Sequence, residues 1–475
     1  MHSKILSTAS LLVAALLLSG SAAHNKDEWK SRTIYQLLTD RFWRDDGSTQ
    51  PCSDIGKYCG GTFKGIQDKL DYIKGMGFDA IWISPIPENF GNDYHGYGAL
   101  DWYKVNPHFG DEQGLKDMIK AAQDKGIWVM LDVVANHVAW IDEAYQMVNP
   151  FNKKEYYHAK CQINNWDDQN EVEYCRLANL PDLDQDNAFV RSTLLQWVKD
   201  TVQKFNFDGI RIDTVPHVKK DFWKEYAQAA GVFQIGEALK GDVGYVSYYT
   251  HDGLDATMNY PLYFTLRNVF NYKHSMYEIR NVFNQEKSAF ADVDALGVFI
   301  DNHDNPRFLS MSNSLPLFKT ALTFTLFSQG IPIIYYGSEQ GFNGGNDPAN
   351  REPLWTSMNT QNPLYTFLQG LISLRKSQEV WTFPHIERWC DDTFYAFTRG
   401  NVLIAITNQD QSGQQHRDIS YHPYKPGQKL CNQLFEGDCI FVTPDNKVPV
   451  YLLKGESKVF IPATNAEGEY VFAQE

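Results

Sequence analysis

At 475 residues the chain is too long for one small core and calls for a large domain with one or two smaller ones. Apolar residues make up 43% and aromatics 14%, which excludes a disordered chain and leaves the many Trp and Tyr either to fill cores or to offer flat faces for stacking. A formal net charge of -15 excludes nucleic acid as a partner, since no basic surplus meets phosphates, and suits a neutral ligand.

The chain opens with Lys4, an apolar run from Ile5 to Leu18 and the small residues Ser21, Ala22 and Ala23. The run is short for a membrane span, so residues 1–23 are predicted to be a secretory signal cleaved near Ala23; no later span or lipid-anchor tail follows. In an extracellular protein the seven cysteines read as disulfides. Cys52 with Cys59 and Cys161 with Cys175 each close a short loop, and pairing Cys431 with Cys439 leaves Cys390 free.

From Ile34 to Arg375 short apolar strands alternate with helical stretches. The predicted strands are Ile34–Asp40, Phe78–Pro85, Ile127–Val134, Phe207–Asp213, Val232–Glu237, Leu254–Tyr260, Leu296–Asp304 and Ile331–Gly337; Asp111–Gly126 and Asn187–Asn206 are among the helices. Alternation of this kind predicts an α/β protein with a parallel sheet, and eight units predict a closed (β/α)8 TIM barrel over 24–136 and 187–380. A doubly wound open sheet is the alternative, although no GxGxxG follows the first strand. Some fifty residues after Val134 show no clear helix, and a structureless loop of that length is uncommon in a compact domain. Residues 137–186 are therefore read as a small inserted domain pinned by Cys161–Cys175. After about Trp381 the pattern turns to alternating strands, "TFYAFTRG", "NVLIAITNQ", "VPVYLLKG" and "SKVFIPA", which predict a C-terminal antiparallel β-sandwich domain over 381–475.

In a β/α barrel the active site lies at the carboxyl ends of the strands. Strand three ends in Asp132, Asn136 and His137, strand four in Arg211 and Asp213, strand five in Glu237, and strand seven in His303 and Asp304. Any one of these reads as a turn or cap. Three carboxylates with two histidines and an arginine at one mouth are too costly to gather without a purpose. Paired carboxylates that need no cofactor point to glycoside hydrolysis: one attacks the anomeric carbon and one protonates the leaving oxygen.

"DVVANH" (Asp132–His137), "GIRIDTVPH" (Gly209–His217), "GE" (Gly236–Glu237) and "FIDNHD" (Phe299–Asp304) resemble the four ordered signature segments of the α-amylase family, glycoside hydrolase family 13. "YQLLTDRF", "YHGYG", "LPDLD", "DNHDNPRF" and "GGNDPANRE" resemble the secreted fungal members. The resemblance runs from about Ile34 to Arg375. It implies an endo-acting, retaining hydrolase of α-1,4-glucosidic bonds in starch, glycogen and maltooligosaccharides, monomeric, with α-glucans rather than nucleic acid or membranes as partners. Asp213 would be the nucleophile, Glu237 the general acid/base and Asp304 the transition-state stabiliser. His137, His303 and Arg211 would surround the sugar before the cleaved bond, Tyr97 would stack on it with His95 nearby, and Asp347 and Arg351 would grip the next sugars. The resemblance also implies a structural calcium held by Asn136, Asp182 and the backbone oxygens of Glu173 and His217; all-oxygen ligation suits that ion. Pro216, Gly98 and Asp301 depart from the fungal pattern, where Lys, Trp and Glu are usual. The first two are expected on the leaving-group side of the cleft. Competing readings are a maltose-forming enzyme or transglycosylase of the same family, or a carbohydrate-binding homologue without catalysis.

Overall fold

The computed structural model describes residues 24–411 and 413–473. The predicted signal segment, 1–23, lies outside them. Eight parallel strands form the barrel: β1 (Ile34–Gln36), β2 (Ala80–Ile83), then, after the antiparallel hairpin β3 (Pro87–Asn89) and β4 (Ala99–Val105), β5 (Trp128–Val133), β6 (Gly209–Ile212), β7 (Phe233–Gly236), β8 (Ala256–Thr257), β9 (Gly297–Val298) and β10 (Ile331–Tyr335). Their order is β8-β7-β6-β5-β2-β1-β10-β9, and a parallel bridge between Met258 and Gly297 joins the two ends and closes the barrel.

The strands are buried on both faces, which is why they read as apolar runs. Alternate residues point inward. At the base these are Ile34, Ala80, Met130, Phe233, Ile235 and Ile333, with Trp29 below them donating its indole N–H to Asp208 O at 3.3 Å. Continuing along the same strands, the inward positions become polar: Gln36 on β1, Asp132 on β5, Arg211 on β6. The register sets Asp132 beside Arg211. An apolar plug below and a charged layer above are thus both products of the two-residue period.

The helix Ala188–Phe205 begins where Asn187 accepts hydrogen bonds from Phe189 N and Val190 N and ends at Asn206, whose φ of 60° breaks the helical path. Between β5 and this helix the chain makes short helical turns around Tyr145, Phe151, Tyr157 and Leu183, tied by the Cys161–Cys175 disulfide. Disulfides also join Cys52 to Cys59 and Cys431 to Cys439; Cys390 is a buried free thiol.

Beyond the barrel lie β11 (His385–Cys390), β12 (Phe394–Arg399), β13 (Val402–Thr407), β14 (Gln414–Ile419), β15 (Lys429–Asn432), β16 (Cys439–Phe441), β17 (Val448–Leu453) and β18 (Lys458–Pro462). Six form an antiparallel sheet ordered β11-β12-β13-β18-β15-β16, and β14 and β17 pair in a second sheet across a core of Phe394, Leu403, Val450 and Phe460. β14 escapes sequence reading because its residues, QQHRDI, are mostly polar and exposed. Among the described residues no helix is long and apolar enough to cross a membrane.

Candidate active site

The polar layer at the top of the barrel centres on Arg211, which is 1% exposed. Its Nη1 donates to both oxygens of Asp132 at 3.1 Å and to Asp213 Oδ1 at 2.8 Å, and its Nη2 lies 3.0 Å from Glu237 Oε2. Backbone bonds carry the ladder past the strand ends: Asp213 N donates to Val133 O and Glu237 N to Ile212 O. Immediately after Asp213, Thr214 takes φ 50°, an uncommon value for a residue that is not glycine, and from there its N–H donates to Glu237 Oε2 at 3.1 Å. Glu237 Oε1 accepts from the Tyr260 hydroxyl at 3.2 Å, itself fixed by Asn302.

Asp132 is buried deeper. Trp82 Nε1 donates to it at 3.0 Å and the Tyr97 hydroxyl at 2.7 Å. Tyr97 OH also lies 2.7 Å from His303 Nε2, and His303 Nδ1 lies 2.7 Å from Gln36 Nε2. An amide N–H can only donate, so His303 Nδ1 accepts, its Nε2–H donates to Tyr97, and Tyr97 donates to Asp132. That order requires a neutral imidazole. Burial, with Arg351 and Arg211 nearby, holds His303 well below its ordinary range. His95 and His137 are likewise held down by burial, to about 3 and about 4.

Burial pushes Asp213, Glu237 and Asp304 up from the ordinary carboxylate range; Arg211 opposes this in all three. Asp304 also faces Arg351 at 3.6 Å and His303 Nε2 at 3.4 Å. Arg351 Nη1 reaches Asp347 at 3.2 Å, and its Nε donates to His303 O at 2.9 Å. The structure thus brings His95, Tyr97, His137, Arg211, Asp213, Glu237, His303, Asp304, Asp347 and Arg351 to one mouth. All of these except Arg211 and His303, which lie beneath it, line a cleft of about 620 Å³.

The opposite wall was not anticipated from the sequence. Trp166, Leu177 and Leu180 of the segment after β5 and Leu239, Lys240 and Tyr245 of the segment after β7 line it, the two segments joined where Lys240 Nζ lies 3.0 Å from Asp167 Oδ1 and the Tyr245 hydroxyl donates to Gln169 Oε1 at 2.8 Å. No local pattern marks them; an exposed Trp in a polar stretch was the one available signal. Pro216 lines the cleft and its carbonyl accepts from Gln169 Nε2 at 2.9 Å. Gly98 is not part of the cleft lining. A Cβ there would stand 2.0 Å from Asp93 Oδ2, so the Asp93 carboxylate occupies the room a larger side chain would need. Asp301 is buried behind the cleft and accepts from Phe308 N at 2.7 Å.

Asn136, Asp182 and the His217 carbonyl also meet. One terminal atom of the Asn136 amide lies 2.8 Å from Asp182 Oδ1 and 3.0 Å from His217 O. If that atom is nitrogen, it satisfies both acceptors. If it is oxygen, three oxygens converge on one point, which fits a hard cation. Glu173 follows Val172, whose carbonyl lies 3.1 Å from His217 Nδ1. Among the described residues no group of three or more His, Cys, Asp or Glu side chains is arranged to hold a metal; the donors here are an amide, one carboxylate and backbone carbonyls.

Residues 36–364 match the α-amylase catalytic domain. The chain is 37% identical to "Alpha-amylase 2" of Schwanniomyces occidentalis and 36% identical to an alpha-amylase of Saccharomycopsis fibuligera, in each case over 97% of both chains. Its fold matches the solved alpha-amylase of Malbranchea cinnamomea with a TM-score of 0.89 at 38% identity, over 92% of this chain and 98% of that one. With this fold, these carboxylates and these relatives, the chain belongs to the α-amylase family of glycoside hydrolases.

Proposed function

We propose that the protein is a secreted monomeric enzyme that cleaves internal α-1,4-glucosidic bonds of starch, glycogen and maltooligosaccharides with retention of anomeric configuration. The observation that carries this reading is the single guanidinium of Arg211 shared by Asp213 and Glu237. Retaining glycosidases hold their two carboxyls about 5–5.5 Å apart, and anchoring both to one guanidinium favours that close spacing.

Asp213 makes the shorter bond to Arg211, which keeps it ionised as the nucleophile. Glu237, buried and close to the charges of Asp213 and Asp304, carries the proton. Protonation of the leaving oxygen by Glu237 accompanies attack of Asp213 on the anomeric carbon. Glu237, now ionised, then takes a proton from the water that releases the sugar. Asp304 stabilises the oxocarbenium-like charge. Tyr97 and His95 offer faces to the ring, His137 has an unpartnered Nε2 at the cleft for a hydroxyl, and Asp347 and Arg351 reach the sugars beyond.

Asn136, Asp182 and the carbonyl oxygens of His217 and Glu173 would hold a calcium ion. Bound there, it would neutralise Asp182 and fasten the segment after β5 to the loop after β6.

Incubation with soluble starch tests the reading. Internal cleavage with the α-anomer formed first is expected, and Glu237→Gln is expected to lose the ~10²–10⁴ in rate typical of general acid–base catalysis while staying folded. A β-anomer as first product, or a fully active Glu237→Gln enzyme, would remove the double displacement.

A further inference from the structure

Arg375, on the helix Pro363–Ser377, and Arg399, at the end of β12, are 0% and 1% exposed where the barrel meets the sandwich. A guanidinium is charged at neutral pH, so a buried one needs a countercharge or a full set of acceptors. Arg375 Nη1 donates to Leu326 O at 2.9 Å and Nη2 to Lys30 O at 3.2 Å, but among the described residues its Nε has no hydrogen-bond partner. Arg399 Nε donates to Val380 O at 3.0 Å and its Nη2 lies 3.4 Å from Asp294 Oδ1, while its Nη1 has no such partner. Both side chains reach one short turn, Val380–Thr382, since Arg375 also lies 5.6 Å from the centre of the Trp381 ring.

The carboxylates that act on Arg375 are Asp79 and Asp294. They lie just before β2 and β9, which places this junction at the base of the barrel, away from the cleft. Asp79 is engaged by Lys376 at 2.7 Å, and Asp294 is partly exposed and already paired with Arg399. Burial, reinforced by the charge of Arg399, lowers Arg375 to about 9, and it stays charged at neutral pH. His385 stands opposite Arg399 on β11, with its Nδ1 buried and unpartnered. The Tyr395 hydroxyl lies 3.0 Å from His385 Nε2; donating there, it leaves the ring proton on Nδ1.

The junction thus holds three N–H donors without an acceptor, and two buried guanidiniums with one direct carboxylate contact between them. We infer that it binds a small monovalent anion such as chloride, held by Arg375 Nε and Arg399 Nη1, which fastens the sandwich to the barrel. One negative charge matches the deficit of two guanidiniums against one carboxylate. A planar oxyanion takes paired donors from one guanidinium. Here the free donors come singly, one from each arginine, and a spherical ion accepts from separate elements without a fixed geometry.

The test is the melting temperature of the full enzyme as sodium chloride replaces sodium methanesulfonate at constant ionic strength. An ion bound only by the folded state stabilises by mass action, so the melt should rise with chloride, by about 3 °C at a hundred times the dissociation constant. Arg375→Met should melt alike in the two salts. Arg280→Met, which loses only the partly exposed pair with Glu387, should keep the response. Because Arg375→Met alters a buried site and could fail to fold, wild-type crystals grown in bromide give an independent reading, with an anomalous peak expected against Arg375 Nε and Arg399 Nη1. A wild-type melt identical in the two salts, a bromide map without that peak, or a folded Arg375→Met that keeps the chloride response overturns the inference. A peak without any effect on melting means an adventitious ion only and overturns it too.

Discussion

Arg211 is tenable inside a barrel otherwise filled by aliphatic and aromatic side chains because Asp132, Asp213 and Glu237 all contact it. Removing a partner from such a cluster leaves a buried charge uncompensated, which is why it holds together as a unit. Glu286 shows the opposite solution. It is fully buried, with Asn259 Nδ2 at 2.9 Å and Gln329 Nε2 at 3.2 Å but no cation, and burial pushes its carboxyl up to about 7. Folding therefore favours the protonated form. The stability this group contributes is present below its unfolded value near 4.5 and is lost as pH rises through about 7. Glu286→Gln keeps a neutral group of the same shape once Gln329 turns its amide. Unfolding measured from pH 5 to 8 should show the variant gaining on wild type with rising pH, by up to about 3 kcal/mol. A constant difference across that range would mean that Glu286 does not change ionisation there.

At the scale of elements, the segment between β5 and the helix at Ala188 has little regular structure and relies on cross-links. One is Cys161–Cys175. Another is Asp182, 2% exposed, whose carboxylate lies 2.6 Å from His158 Nδ1 and 2.8 Å from the Asn136 amide. A cation bound there only in the folded state stabilises by mass action, about 2.7 kcal/mol at a hundred times the dissociation constant. Chelation should lower the melting temperature, added calcium should restore it, and Asp182→Asn should melt low with or without chelator. If the Asn136 nitrogen fills the place instead, chelator leaves the wild-type melt unchanged, and that result would dismiss the calcium site.

For the whole molecule the question is whether the sandwich is an appendage. β12, β13 and β18 turn Tyr395, Phe397, Ile404 and Val459 toward the barrel helices, in one continuous core with them. Phe324 of the helix Leu315–Phe327 lies 5.7 Å from Phe397, Thr320 Oγ1 donates to Gly455 O at 2.7 Å, and Arg280 pairs with Glu387. Apolar burial of this extent couples the two units. Calorimetry should give one cooperative transition, and truncation near Trp381 should leave an insoluble barrel with Phe324 and its neighbours uncovered. Two separate transitions would show that the sandwich folds independently.

Eight barrel strands were legible in the sequence because a strand buried on both faces must be written as an apolar run, and Asp213, Glu237 and Asp304 stood out because they interrupt such runs at one end. Local period and local interruption are properties of neighbouring residues, so the chain states them directly. What joins residues far apart was not legible. The closing bridge from Met258 to Gly297 is a single isolated pair just past the two-residue strand β8, and the β3–β4 hairpin that delivers His95 and Tyr97 starts at a proline in an irregular register. The meeting of Trp166 with Lys240, the placement of Asp93 against Gly98 and the junction of Asn136, Asp182 and His217 depend on how loops return over the barrel mouth. Sequence alone determined the strands and the charges at their ends; the tertiary structure decided which charges share a guanidinium and which surfaces face each other, because those distances are set by closure of the barrel and not by any repeat along the chain.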